Sequence, residues 1–374
     1  PIELRVRDVK IIKANTLEGK VPEILFSLSK IALMKGELAP KTIELIGPEI
    51  LIKSGLVVGF GLNSIETRPS EQKLEGRRLF YFLSNLTDNY SFRYLEKLYL
   101  RKSKINLRSH GRELFWSPVS DAEIFWDSFG ARGKFSLLLE NNKNLTKLGV
   151  LLNYKKTANI LQLTADFGEI SLAPIAPMFQ DLVPLRIFNV PFSGNVSLEI
   201  PLDERAETFR FDLKGERGSL NLPHFFAESL QIEDVHFRGT YTGKTKITEV
   251  EKLSVKIKPN SLVRLSRFND HLLPLQSFSM QASYDSNGGF LNLSRLDADL
   301  SGPKITISGI ASGLTRNREI GAVISVNVNQ VSVNKFKSYW PSSLGEVKKA
   351  FILNYLSNGN LRNLKLDTVF SIRK

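Results

Sequence analysis

The chain has 374 residues, more than the roughly 250–300 at which one compact core stops growing, so it needs several domains or an architecture that extends in one dimension. Hydrophobic residues make up 42% and charged residues 24%, the balance of a chain that folds nearly throughout. The net charge of +13 favours anionic partners, although its even spread from Arg5 to Lys374 is also what simple solvation gives; the absence of cysteine excludes disulfides, thiolate metal sites and cysteine nucleophiles.

In chain order, Pro1-Ile2-Glu3-Leu4-Arg5-Val6 reads as a strand already under way, with no signal-like apolar stretch, so the chain is expected to be a piece of a longer protein. Gly59-Phe60-Gly61 begins like a dinucleotide loop but lacks the third glycine and does not open directly into a helix, so it reads as a relaxed strand or turn. From Ser70, Leu79, Phe82, Leu83 and Leu86 fall at helical spacing, predicting a helix over 71–87. Three prolines between Pro174 and Pro184 allow at most a broken helix or a crossing loop, a sub-boundary near 174–190.

The rest alternates with period two, as a strand does when only one sheet face is buried. Val196, Leu198 and Ile200 alternate with polar residues; so do Phe209, Phe211 and Leu213, then Leu253, Val255 and Ile257, then Ile324, Val326 and Val328. Turn signals stand between such runs at Thr242-Gly243-Lys244, Asn287-Gly288-Gly289 and Ser301-Gly302-Pro303. A second helix is predicted from Ser343-Leu344-Gly345-Glu346, a capping box, to near Gly359, with Leu344, Val347, Phe351 and Tyr355 along one face. The C-terminus stops inside another alternation, Leu364 to Phe370. The predicted fold is mostly β: an elongated, curved antiparallel sheet over 1–374, a meander forming an apolar-lined groove, with two or three short capping helices. Each strand would touch only its neighbours, which reconciles the pattern with the length.

No residue set points to catalysis, and no enzymatic activity, cofactor or metal is expected. The histidines, His110, His224, His236 and His271, lack metal-ligand spacing, though His224 and His236 are close enough in sequence to meet on neighbouring strands. Nucleophile-elbow, zinc-helix and phosphate-loop motifs are absent. Asp297 with Asp299, and Glu233 with Asp234, fit the solvated side of a sheet better than an acid–base pair. Phe225, Phe226, Phe237 and Tyr241 lie among basic residues but follow the apolar period, which argues against stacking on nucleic acid.

Ser338-Tyr339-Trp340-Pro341, followed by Lys349-Ala350-Phe351-Ile352 and Gly359, resembles the Tyr-Trp-Pro and Arg-x-Trp-Val segment of the YhdP-like branch of the AsmA-like superfamily, with Lys349 in place of arginine and Phe351 in place of tryptophan. Val190-Pro191-Phe192-Ser193-Gly194 and Gly215-Glu216-Arg217-Gly218-Ser219-Leu220 with Tyr241 resemble that branch's central region, and Leu33–Pro40 and Ile46–Ile50 its opening strands. The resemblance implies a periplasmic protein of a Gram-negative envelope, anchored in the inner membrane by a segment preceding Pro1, whose β-groove moves phospholipid toward the outer membrane. On that view the four alternating runs named above line the groove. A closed sandwich or barrel core, or a scaffold that adds strands to outer-membrane proteins, would show the same alternation.

Overall fold

The computed structural model describes residues 2–13, 17–53, 92–109, 112–115, 120–141, 144–171, 187–201, 207–221, 228–259, 261–264, 272–315, 319–339, 350, 354–355 and 358–373. The protein is mostly β, with very little helix among these residues. Two short strands, β16 (Val263–Arg264) and β17 (Leu272–Leu273), pair with each other; the other strands belong to one largely antiparallel sheet. The chain divides into two compact units, changing from one to the other several times between Ile170 and Arg210.

Unit 1 comprises Pro1–Ile170, Ile175–Pro184 and Ser193–Phe209. It opens with the hairpin β1 (Glu3–Lys13) and β2 (Leu17–Leu28), then α1 (Lys30–Met34), β3 (Pro40–Ile46) and β4 (Glu49–Lys53). After β4 come β5 (Lys97–Ser109), β6 (Arg112–Phe115), β7 (Ser120–Asp127), β8 (Gly130–Asn141), β9 (Asn144–Lys155) and β10 (Ile160–Ser171). The expected pure meander is corrected here, because β5 runs parallel to both β3 and β4. A parallel pair requires the chain to cross back rather than turn, and the crossing passes through 54–91, outside the described residues along with the predicted helix over 71–87 and Gly59-Phe60-Gly61.

Helix α1 is a second difference, since Leu33–Pro40 was expected to be strand. The Ser29 hydroxyl accepts the Ala32 amide proton at 3.4 Å, and Ala32, fully buried, anchors the turn beneath it. Gly36, at φ +75, then ends the helix.

Unit 2 comprises Ser171–Pro174, Leu185–Phe192 and Arg210–Lys374. Its long strands are β13 (Thr208–Leu220), β14 (Leu230–Thr242), β15 (Ile247–Ile257), β18 (Ser277–Asp285), β19 (Phe290–Asp299), β20 (Lys304–Ser312), β21 (Glu319–Ser332) and β22 (Asn360–Arg373). The short β11 (Phe188–Asn189) pairs with β13, and β12 (Pro191–Pro201), which follows β11 in the chain, belongs to unit 1 from Ser193 onward. From β14 onward these long strands pair antiparallel, each with the next.

The turn signals fall where read. Between β18 and β19 the Asp285 carboxylate accepts the amide protons of Asn287 at 2.8 Å and Gly288 at 3.1 Å. Gly289, at φ +62, has no room for a side chain, because a Cβ there would stand 2.6 Å from the Thr315 hydroxyl. Between β21 and β22 lies a short helix, α2 (Val333–Tyr339), whose first amide donates to the Gly359 carbonyl at 3.0 Å and closes the base of the connection. Of the helix predicted over 343–359, Ala350, Asn354 and Tyr355 are helical; Trp340, Pro341, Lys349 and Phe351 lie outside the described residues, as does the proline segment 174–184.

Candidate functional site

Strand pairing converts separate alternating runs into continuous rows, because residues paired across strands project from the same face. In unit 2 one row reads Val255, Phe278, Ala298, Ile305, Val328, Leu364 from β15 to β22. The next reads Leu253, Met280, Leu296, Ile307, Val326, Leu366, and a third begins at Val250 and passes through Ile324. Leu253 and Val255 thus share a face with Ile324, Val326 and Val328, four strands away.

Phe211 and Phe237 continue the apolar contacts from β14 to β13, their ring centroids 4.6 Å apart. Gly239 makes room for them, since a Cβ there would lie 2.8 Å from the Phe211 ring. Most of this face is only half-buried: in β18, β19 and β20 no apolar residue on it is fully buried. Val255 and Ile257 at its β15 border are buried, and Phe211, Leu213, Leu253, Ile324, Val326 and Val328 are half-buried.

The opposite face of the same strands is polar. Ser254, Ser279, Asp297, Thr306, Asn327 and Lys365 form one row across it. Asp297 accepts from Arg295 Nε at 2.6 Å and from the Thr306 hydroxyl at 2.7 Å, and the Arg295 bond holds its carboxyl below the ordinary 3.8. Asp367, bonded by the Ser325 hydroxyl at 2.6 Å and by Lys365, is likewise lowered. Asp297 and Asp367 both stand on this polar side of the sheet. His236 Nε2 lies 2.7 Å from Asp212 Oδ1, a partner the sequence reading did not name, while His224 lies outside the described residues. Among the described residues no group of three His, Cys, Asp or Glu could hold a metal ion.

The face is not flat in register. In β15 the row skips from Val250 to Leu253, and in β19 from Leu293 to Leu296, each leaving two consecutive exposed residues, Glu251-Lys252 and Ser294-Arg295. These are β-bulges, which bend and twist a strand locally. Gln281 of β18 stands between them, and its side-chain amide donates to the Glu251 carbonyl at 3.2 Å; Arg238 pairs with the Glu251 carboxylate at 3.0 Å. The bulged peptide is thereby satisfied rather than left open.

Unit 1 carries a comparable face with a different outcome. Ile24, Leu45, Leu100, Ala122, Phe135, Val150 and Ala165 follow one another across β2, β3, β5, β7, β8, β9 and β10. Beside that row, Leu95, Ile124, Trp126 and Ala131 close into a buried cluster with Phe92 and Tyr154 packed against it. Leu198 and Ile200 form a second buried cluster with Leu152 and Leu161, with Phe209 alongside; Val196 is half-buried. Two of the predicted groove positions of unit 1 are therefore buried core in this structure.

Sequence reasoning missed Phe278, Met280, Leu296, Ile305 and Ile307, which complete the unit 2 face. Their signal was present: Phe278 and Met280 alternate with Ser277, Ser279 and Gln281, and Ile305 and Ile307 with Thr306 and Ser308. No family model, curated protein or solved structure matches the chain.

Proposed function

We propose that this chain is a non-enzymatic lipid-binding segment that carries phospholipid along the apolar face of its sheet, in a periplasmic, inner-membrane-anchored protein of the AsmA-like kind. The observation that carries this reading is the run of apolar rows from β15 to β22 that stays half-buried rather than closing. Each CH₂ taken from water is worth about 0.8 kcal/mol. An acyl chain of about 16 carbons laid along such a face would gain on the order of 12 kcal/mol, less the cost of ordering it. Moving it along successive rows exchanges like contacts for like, so no chemistry is needed.

Native mass spectrometry with lipid extraction on the purified chain tests this. Co-purifying phospholipid that is lost in folded Met280→Glu and Val326→Glu, and kept in Asn327→Glu on the polar face, supports the reading. Protein that is lipid-free and also refuses added phospholipid ends it. One observation favours a second reading, strand addition to outer-membrane polypeptides: among the described strands, the 14-residue β22 pairs only with β21. Extended peptides that protect β22 amides from hydrogen exchange would support that reading instead.

A further inference from the structure

One end of unit 1 presents apolar side chains to solvent on rigid supports. At this end β2 leaves and β3 enters through α1, β5 begins beside the start of β3, and β7 turns into β8. Ile31, Met34 and Leu38, in and just after α1, are 60%, 88% and 80% exposed, and Phe129 in the β7–β8 turn is 75% exposed.

None of these four contributes to the core, yet the backbone that carries each is fixed. Buried Ala32 and Ala39 hold the α1 segment, and Arg93 clamps Glu37 within it. Asp127 accepts the amide protons of Phe129 at 2.9 Å and Gly130 at 3.1 Å, and the Phe129 carbonyl accepts from the Lys156 amide at 2.8 Å. Three strand intervals separate the two projections, about 14 Å at about 4.8 Å per strand.

The charge around them is one-sided. Glu37, Glu96 and Asp127 are each held by a cation, Arg93, Lys41 and Arg132 respectively. Lys30, Lys35 and Lys155 are exposed along the same end, where Glu3 is a further carboxylate among the described residues. The corresponding hairpin turns of unit 2, Thr242–Lys246 and Ser286–Gly289, carry only Thr, Gly, Lys, Ser and Asn.

We infer that this end of unit 1 is a membrane-docking edge: Ile31, Met34, Leu38 and Phe129 insert shallowly into a phospholipid surface while the flanking lysines meet anionic head groups. Separate apolar tips interleaved with lysine suit a head-group layer, where each side chain finds acyl carbon below and phosphate beside it. The inference concerns strand ends and not the apolar face, so it stands or falls independently of lipid carriage.

The test is co-sedimentation of the whole chain with vesicles of phosphatidylcholine containing about one-third phosphatidylglycerol, against phosphatidylcholine alone. The expected result is binding that the anionic lipid strengthens and that falls at least about tenfold in Met34→Glu/Leu38→Glu and in Phe129→Glu. Because these side chains are mostly exposed, the variants should keep the parent's circular dichroism and urea midpoint. Val369→Glu, at a residue 77% exposed in unit 2, should bind as the parent does. Lys30→Glu/Lys35→Glu should lose the preference for phosphatidylglycerol. Parent protein that does not bind overturns the inference. So does binding that Met34→Glu/Leu38→Glu and Phe129→Glu leave intact, which would reduce the effect to attraction of a basic chain, or a loss as large in Val369→Glu.

Discussion

Trp126 in unit 1 and Met280 in unit 2 stand on the apolar side of strands with the same alternation, yet Trp126 is 6% exposed inside a closed cluster and Met280 is half-buried on a face that stays partly accessible. Beside Trp126 the row is capped by Leu95 and Phe92, which come from the segment leading into β5 rather than from a paired strand. In β18 to β20 no apolar residue of the face is fully buried. Alternation therefore states which side of a strand is apolar, and packing from outside the strand decides whether that side becomes core or surface.

The sharpest way to break the comparison is to truncate both residues. Trp126→Ala should cost about 3–5 kcal/mol in urea unfolding, as expected for a large side chain lost from a closed cluster. Met280→Ala should cost only about 1–2 kcal/mol, because its site already meets solvent. Equal losses would mean that the two faces are packed alike.

The turns sharpen it next. Gly130 and Gly302 adopt φ +145 and +156, which a side chain tolerates poorly, but a Cβ at Gly130 would fall 1.9 Å from the Tyr154 carbonyl oxygen while one at Gly302 meets open space. Gly130→Ala should cost about 2–4 kcal/mol and Gly302→Ala about 1–2, again by urea midpoint.

The smallest effect belongs to the polar face. The Asp297 carboxyl titrates below its ordinary 3.8 in the folded state, so its contribution is present above that value and lost as pH falls through the folded value. Asp297→Asn should make stability fall less steeply below about pH 4, by under about 1 kcal/mol given the exposure of the pair. An unchanged acid limb would show that the Arg295 contact does not persist in solution.

Much of the sheet was legible because period-two alternation is local, and the turns at Gly243, Gly289 and Gly302 were legible because few residues serve those conformations. The parallel placement of β5 was not, since nothing in Lys97–Ser109 itself says that the chain has crossed back. Helix α1 was missed because five residues show no helical period, and its stability comes from the Ser29 cap and the buried Ala32. Of the candidate site, membership of the face was readable in Leu253 and Val326, but the burial of Leu198 and Ile200 depends on Leu152 and Leu161, which no local pattern connects to them.

The paired bulges of β15 and β19 also set a phase. Ahead of Glu251-Lys252 the inward residues are Thr248 and Val250, even-numbered; beyond it they are Leu253 and Val255, odd-numbered. Deleting either residue of that step would remove the bulge and leave plain alternation, with Val250 inward, one residue outward and Leu253 inward, so both halves keep their phase; deleting Glu249 instead would put Thr248 and Val250 on opposite faces. The same arithmetic holds at Ser294-Arg295 in β19. Single-residue deletions should therefore be tolerated at these two steps and rejected at the regular positions of the same strands, where strand length is bound to which side of the sheet remains greasy.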